Sequence, residues 1–161
     1  MTIKKTYKDY KDFFEEVNKS NRNKTYHWSY VLLFSFYEDR VNQIFKTQHM
    51  INNDCEPNKE DMKDSIYRKL RDINRWGIKV SDKLIDFLIG IHDRRNTIVH
   101  DALFNIQSVT KKDVEDLEKV ARHFNKMREK QKKDNPKLFP KLSKRDKLFV
   151  RVYGRIPSHI K

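Results

Sequence analysis

A chain of 161 residues has the length of one domain, and its 37% apolar and 37% charged residues place a modest core under a highly charged surface. Three Gly and four Pro leave few of the tight turns that an all-β fold needs, and the single Cys55 excludes an intramolecular disulfide framework and a cysteine-rich zinc site. The 36 Lys and Arg against 23 Asp and Glu give a net charge of +13, which favours polyanionic partners.

The first predicted element is a short helix over Tyr7–Asn18, carrying Tyr10, Phe13, Phe14 and Val17 at helical spacing. A polar, Asn-containing break is expected over Lys19–Lys24. Next comes the strongest periodic segment, from Tyr26 to about Thr47, where Tyr30, Leu33, Phe34, Tyr37, Val41, Ile44 and Phe45 form one wide stripe. Thr25 is a candidate cap for it. The polar stretch His49–Lys59 contains Pro57 and reads as a loop.

A further amphipathic helix is predicted with Met62, Ile66, Leu70, Ile73 and Trp76 on one face, stopped by Gly77 in a left-handed cap. Ser81 caps the next, whose stripe runs Leu84, Leu88, Ile91 and on to Ile98 or Val99. Gly90 inside it costs about 1 kcal/mol relative to Ala, which predicts a compensating close approach of another helix. Thr110 and Asp113 resemble a capping box ahead of Val114, Leu117, Val120 or Ala121, and Phe124. Beyond Met127 the periodicity fades. Leu148–Tyr153 is short, β-branched and aromatic, reading as an edge strand or an arm that packs on the core or a second subunit.

The expected architecture is therefore an all-α, up-and-down bundle of four to five helices over residues 1–127, followed by a basic arm over 128–161. Residues 126–161 hold thirteen Lys and Arg against three Asp and Glu, so ten of the thirteen net charges sit there. Lys130, Lys132, Lys133, Lys144, Arg145, Arg151 and Arg155 are the candidate RNA contacts, and Tyr153 is a candidate stacking platform. No apolar leader and no stretch of membrane-spanning length is visible, predicting a cytoplasmic protein with no membrane contact. Neither a Gly-rich phosphate loop nor another cofactor motif is present.

The chemistry concentrates in His92-Asp93-Arg94-Arg95-Asn96-Thr97-Ile98-Val99-His100-Asp101, where ionisable residues interrupt an apolar helical pattern. Cleaving RNA without a metal takes a group near neutral pKa to move a proton, and a fixed positive charge for the phosphate as it becomes pentacoordinate. His supplies the first and Arg the second. Asn96 and His100 lie some 40° apart on an ideal helix, whereas Arg95 and His100 lie about 140° apart. The arginine's length, a local distortion of the helix, or a second copy of the motif has to close that gap. The two His-Asp dipeptides also invite a metal-phosphohydrolase reading, but His27, His49, His123 and His159 supply no further ligand series in order, so no metal site is assigned. Glu38 and Asp39 could approach the motif from a neighbouring helix. Trp28 and Trp76 read as core residues.

Arg95-Asn96-Thr97-Ile98-Val99-His100 resembles the Arg–four-to-six-residues–His motif of the HEPN superfamily, including the Asn directly after the Arg. Tyr30-Val31-Leu32-Leu33-Phe34-Ser35-Phe36-Tyr37-Glu38-Asp39-Arg40 is similar to the aromatic core helix of such domains, and the resemblance covers roughly residues 25–127. It implies a helical bundle that pairs as a homodimer, joining two motifs into one composite, metal-independent endoribonuclease site of the kind found in toxins and phage-defence effectors. By that resemblance Arg95 stabilises the phosphate, His100 is the general acid or base, and Asn96 supports both. Arg94, five residues before the same His, is the alternative arginine. An antitoxin or other regulatory protein is an implied partner. A toxin subset carries a Tyr two positions after the His; Ala102 stands there in this chain, which argues against control through modification of that Tyr. The competing expectation is a non-catalytic nucleic-acid-binding or assembly module of the same fold.

Overall fold

The structure, a computed structural model, describes residues 10–58, 60, 62, 64–102 and 109–139, and at 10, 11 and 99–102 the helix backbone alone. The described residues form five α-helices and no strand: α1 (Tyr10–Arg22), α2 (Tyr26–Asn53), α3 (Ile66–Arg71), α4 (Asp82–Ala102) and α5 (Lys111–Asp134), with a 3₁₀ turn at Ile73–Trp76. The edge strand or arm expected at Leu148–Tyr153 lies outside the described residues.

The 28-residue α2 is the spine. Its stripe Tyr30, Leu33, Phe34, Tyr37, Val41, Ile44 and Phe45 is buried as the spacing predicts, and it packs most extensively on α5, then on α1. From α5 the same core receives Val114, Leu117, Val120, Ala121 and Phe124. From α1 it receives Phe13, Phe14 and Val17, with the Phe13 ring stacked 4.8 Å from Phe36. α4 closes the bundle with Leu88, Ile91 and Ile98.

Several boundaries differ from the expected ones. α1 runs on to Arg22, and the break narrows to the residues around Lys24, which takes a left-handed φ of 57°. Thr25 makes no side-chain cap to α2; its hydroxyl instead donates to the Ser20 carbonyl at 2.9 Å, satisfying the end of α1. α2 continues through the polar stretch to Asn53. There Gln48 donates to Asn52 (3.0 Å) and Asn53 to the His49 carbonyl (3.1 Å), so polar side chains reinforce the exposed last turns until left-handed Asp54 ends them.

The single helix expected from Met62 to Trp76 is divided into α3 and the 3₁₀ turn. Ser65 caps α3 by accepting from the Arg68 N–H, and the buried Lys69 ammonium donates to Asn42 (2.9 Å) and to the Met62 carbonyl (3.0 Å). A continuous helix would have committed that carbonyl to the Ile66 N–H. Gly77 ends the turn at φ 79°, the left-handed cap foreseen for it. At Gly90 the expected close contact is not found: among the described residues an added Cβ would meet nothing within 4 Å. The Thr110–Asp113 capping box is complete, with Asp113 N–H to Thr110 Oγ1 at 3.2 Å and Thr110 N–H to Asp113 Oδ2 at 2.8 Å.

α5 passes through residue 127 without a break and reaches Asp134. Arg128 turns inward, donating to Thr47 Oγ1 beneath the Phe139 ring, and Gln131 donates to the Ile44 carbonyl at 3.3 Å. Inward polar groups thus extend the packing of α5 on α2 past the point where the apolar periodicity ends. Among the described residues, no helix is long and apolar enough to cross a membrane.

Candidate functional site

The motif lies on α4, which is helical without interruption from Asp82 to Ala102. The backbone therefore holds Arg95 and His100 at the wide separation of an ideal helix, about 140°, and local distortion does not bring them together. The His100 side chain lies outside the described residues.

The two arginines of the motif face different neighbours. Arg94 reaches α5 and binds Asp113 through two parallel bonds, Nε to Oδ1 and Nη2 to Oδ2, both 3.0 Å. Burial acts to raise the Asp113 carboxyl, but the hydrogen bonds from Arg94 and Thr110, with the guanidinium charge, outweigh it and hold the group below the usual carboxylate range. Asp113 thus joins a helix cap and an interhelical ion pair.

Arg95 reaches α2. Its guanidinium sits 5.4 Å over the Phe34 ring, and its Nη1 donates to Asn96 Oδ1 at 3.2 Å. A cation over an aromatic face contributes roughly 0.5–1 kcal/mol at a partly exposed site. Arg95 makes no ion pair among the described residues, although its charge reaches its neighbours. Burial raises the Glu38 carboxyl, and Arg95 partly offsets that rise.

Near Arg95 lies a group that the sequence reading weighed only as half of a His-Asp dipeptide. His92, one helical turn before Arg95 and Asn96, is buried, with Nε2 3.2 Å from the Tyr37 hydroxyl and its ring edge-on to Phe34 at 5.2 Å. Burial, and then the charge of Arg95, push its pKa down to about 4, against a smaller opposing pull from Asp93. Burial, with the Glu38 charge, drives the Tyr37 hydroxyl well above its ordinary value. At neutral pH the pair is an uncharged phenol beside an uncharged imidazole. Such a pair fixes α4 against α2 and supports the floor under Arg95; it is not a proton relay near pH 7. The signal available in the sequence was the i, i+3, i+4 spacing of His92, Arg95 and Asn96, which puts all three on one side of the helix.

Asp39 pairs with its neighbour Arg40. Trp28 is 46% exposed, contrary to the core role expected for it, whereas Trp76 packs edge-on to Phe45 at 4.9 Å. Among the described residues, no three His, Cys, Asp or Glu side chains converge as a metal site. Of the candidate RNA contacts, Lys130 and Lys133 are exposed on α5, and Lys132 pairs with Glu129 at 2.8 Å. Lys144, Arg145, Arg151 and Arg155, with Tyr153, lie outside the described residues.

Compared with known proteins, the chain matches no family model, no curated protein and no solved structure.

Proposed function

We propose that the protein is a metal-independent endoribonuclease, in which Arg95 and Asn96 bind the scissile phosphate and His100 moves the proton of the 2′-hydroxyl or of the leaving group. The observation that carries this reading is how the donors of the arginines are used. Arg40, Arg122 and Arg128 also lie over phenylalanine rings, but they give donors to Asp39, Glu118 and Thr47. Among the described residues, Arg95 gives a donor only to the neutral amide of Asn96, its neighbour in sequence. A guanidinium held on an aromatic ring, with no carboxylate bonded to it among the described residues, is suited to a phosphodiester, whose two non-bridging oxygens match its paired N–H groups.

The fixed angle between Arg95 and His100 favours a composite site in which each motif is completed by a second copy of the chain. Trp28 and Val31, 46% and 51% exposed, lie on the turns of α2 just before Phe34 and offer apolar area for such pairing. On this reading, purified protein cuts labelled RNA in EDTA and leaves 2′,3′-cyclic phosphate ends. Light scattering gives a dimer at working concentration. Strict metal dependence, or full activity as a monomer, refutes it.

The second reading is a nucleic-acid-binding module without catalysis. It is favoured by Lys112, Lys119, Lys126, Lys130 and Lys133, which share one exposed side of α5 at helical spacing. Salt-dependent RNA binding without cleavage is its expected outcome.

A further inference from the structure

A concave site lies toward the other end of α5, away from the Arg94–Asp113 pair. Asp113, which holds Arg94, is in the first turn of α5, and Lys130 is seventeen residues further on, about 25 Å along the axis at 1.5 Å per residue. There the last turns of α2, the turn after Gly77 and the distal half of α5 enclose a cleft of ≈ 380 Å³, within the range of small-molecule sites.

The lining divides by chemistry. Buried Ile78, half-buried Met127 and exposed Ile51 supply apolar surface. Lys79, His123 and Lys130 come from two separate elements, and neither lysine makes an ion pair among the described residues. Gln131 supplies an unpaired acceptor. Its Nε2 donates to the Ile44 carbonyl and to Gln48 Oε1, at 3.3 and 3.5 Å, which fixes the orientation of the amide. Its Oε1 is then buried with no hydrogen-bond partner among the described residues, and Gln131 and Asp134 both line the cleft. A buried acceptor without a donor is costly and is relieved by a ligand bringing an N–H group.

We propose that this cleft binds a phosphorylated guanine nucleotide, its phosphate between Lys79, His123 and Lys130 and its base on Ile78 and Met127. Guanine is the base whose ring N1–H and exocyclic amine offer two adjacent donors, matching the Gln131 oxygen and the Asp134 carboxylate. The phosphate answers the unpaired lysines as a charge-assisted acceptor. The site shares no residue with the Arg95 motif and does not depend on the cleavage reading.

The test is calorimetric titration of the full chain with GMP, guanosine and inorganic phosphate, repeated on Lys79→Glu, Lys130→Glu and Arg95→Ala. Saturable GMP binding is expected, weakened at least about tenfold in each lysine variant and unchanged in Arg95→Ala. Guanosine and phosphate bind at least about tenfold more weakly than GMP, since each fills half the site. A 5′-phosphorylated, G-initial trinucleotide binding more tightly than GMP identifies an RNA end as the source; the reverse order identifies the free nucleotide. No saturable GMP binding, wild-type affinity in both lysine variants, or inorganic phosphate binding as tightly as GMP overturns the proposal. Circular dichroism confirms that the variants are folded, which substitution of two exposed lysines preserves.

Discussion

The two sides of α4 use the same residue type for opposite ends. On the side facing α5, Arg94 is used by the fold: two of its bonds close on Asp113, which at the same time serves the capping box of the helix that Arg94 docks against. On the side facing α2, Arg95 rests on a ring and an amide, over a buried pair that carries no charge at neutral pH. Adjacent arginines, some 100° apart on the helix, therefore differ in everything that matters for chemistry. A positive charge committed to a partner stabilises a structure. One held in place without a carboxylate bonded to it among the described residues is the one we propose for an anion.

The sharpest way to break this comparison is to remove each arginine in turn. Arg95→Ala should lower RNA cleavage at least about a hundredfold, the usual cost of losing one donor to a developing charge, with circular dichroism unchanged. Arg94→Ala should stay within a few-fold of wild type at a temperature where it is folded, while melting earlier. Cleavage that tracks Arg94 and ignores Arg95 would reverse the assignment.

Next in size is a pH effect from the α2 side. The folded pKa of His92 is depressed to about 4 from an ordinary 6.5, so the unfolded chain takes up its proton first as the pH falls. The stability from this group is fully present above pH 6.5 and is lost toward pH 4, by up to about 3 kcal/mol. His92→Phe removes the titration and should flatten that part of the stability curve in urea melts at stepped pH. A curve of unchanged slope in the variant would mean that His92 is not the group responsible.

On the α5 side, Asp113→Ala removes both a cap and an ion-pair partner and should cost about 2 kcal/mol in chemical denaturation. Asp113→Asn, which keeps a capping acceptor, should cost less. Equal losses would show that the ion pair with Arg94, and not the cap, dominates.

The smallest effect belongs to Gly90. An added Cβ meets nothing within 4 Å, so Gly90→Ala should stabilise α4 by about 1 kcal/mol. A loss of stability would reveal a contact that the free space around this residue argues against.

The sequence by itself determined what depends on residues a few positions apart. The stripe from Tyr30 to Phe45, the Thr110–Asp113 box and the Gly77 stop are all written within one or two helical turns, and each stands where the spacing placed it. What the tertiary structure decided involves partners remote in sequence. The buried Lys69 ammonium ties α3 to α2 because Asn42, 27 residues earlier, stands across from it, and Arg128 and Gln131 carry α5 past its apolar stripe because Thr47 and Ile44 accept from them. The same holds at the site. His92 and Tyr37 are 55 residues apart, and Arg94 and Asp113 are 19 apart. Periodicity reports which side of a helix is buried, but not which residue of another helix it meets. That choice follows from how α2, α4 and α5 pack together, and with it which of the two arginines is bonded to Asp113.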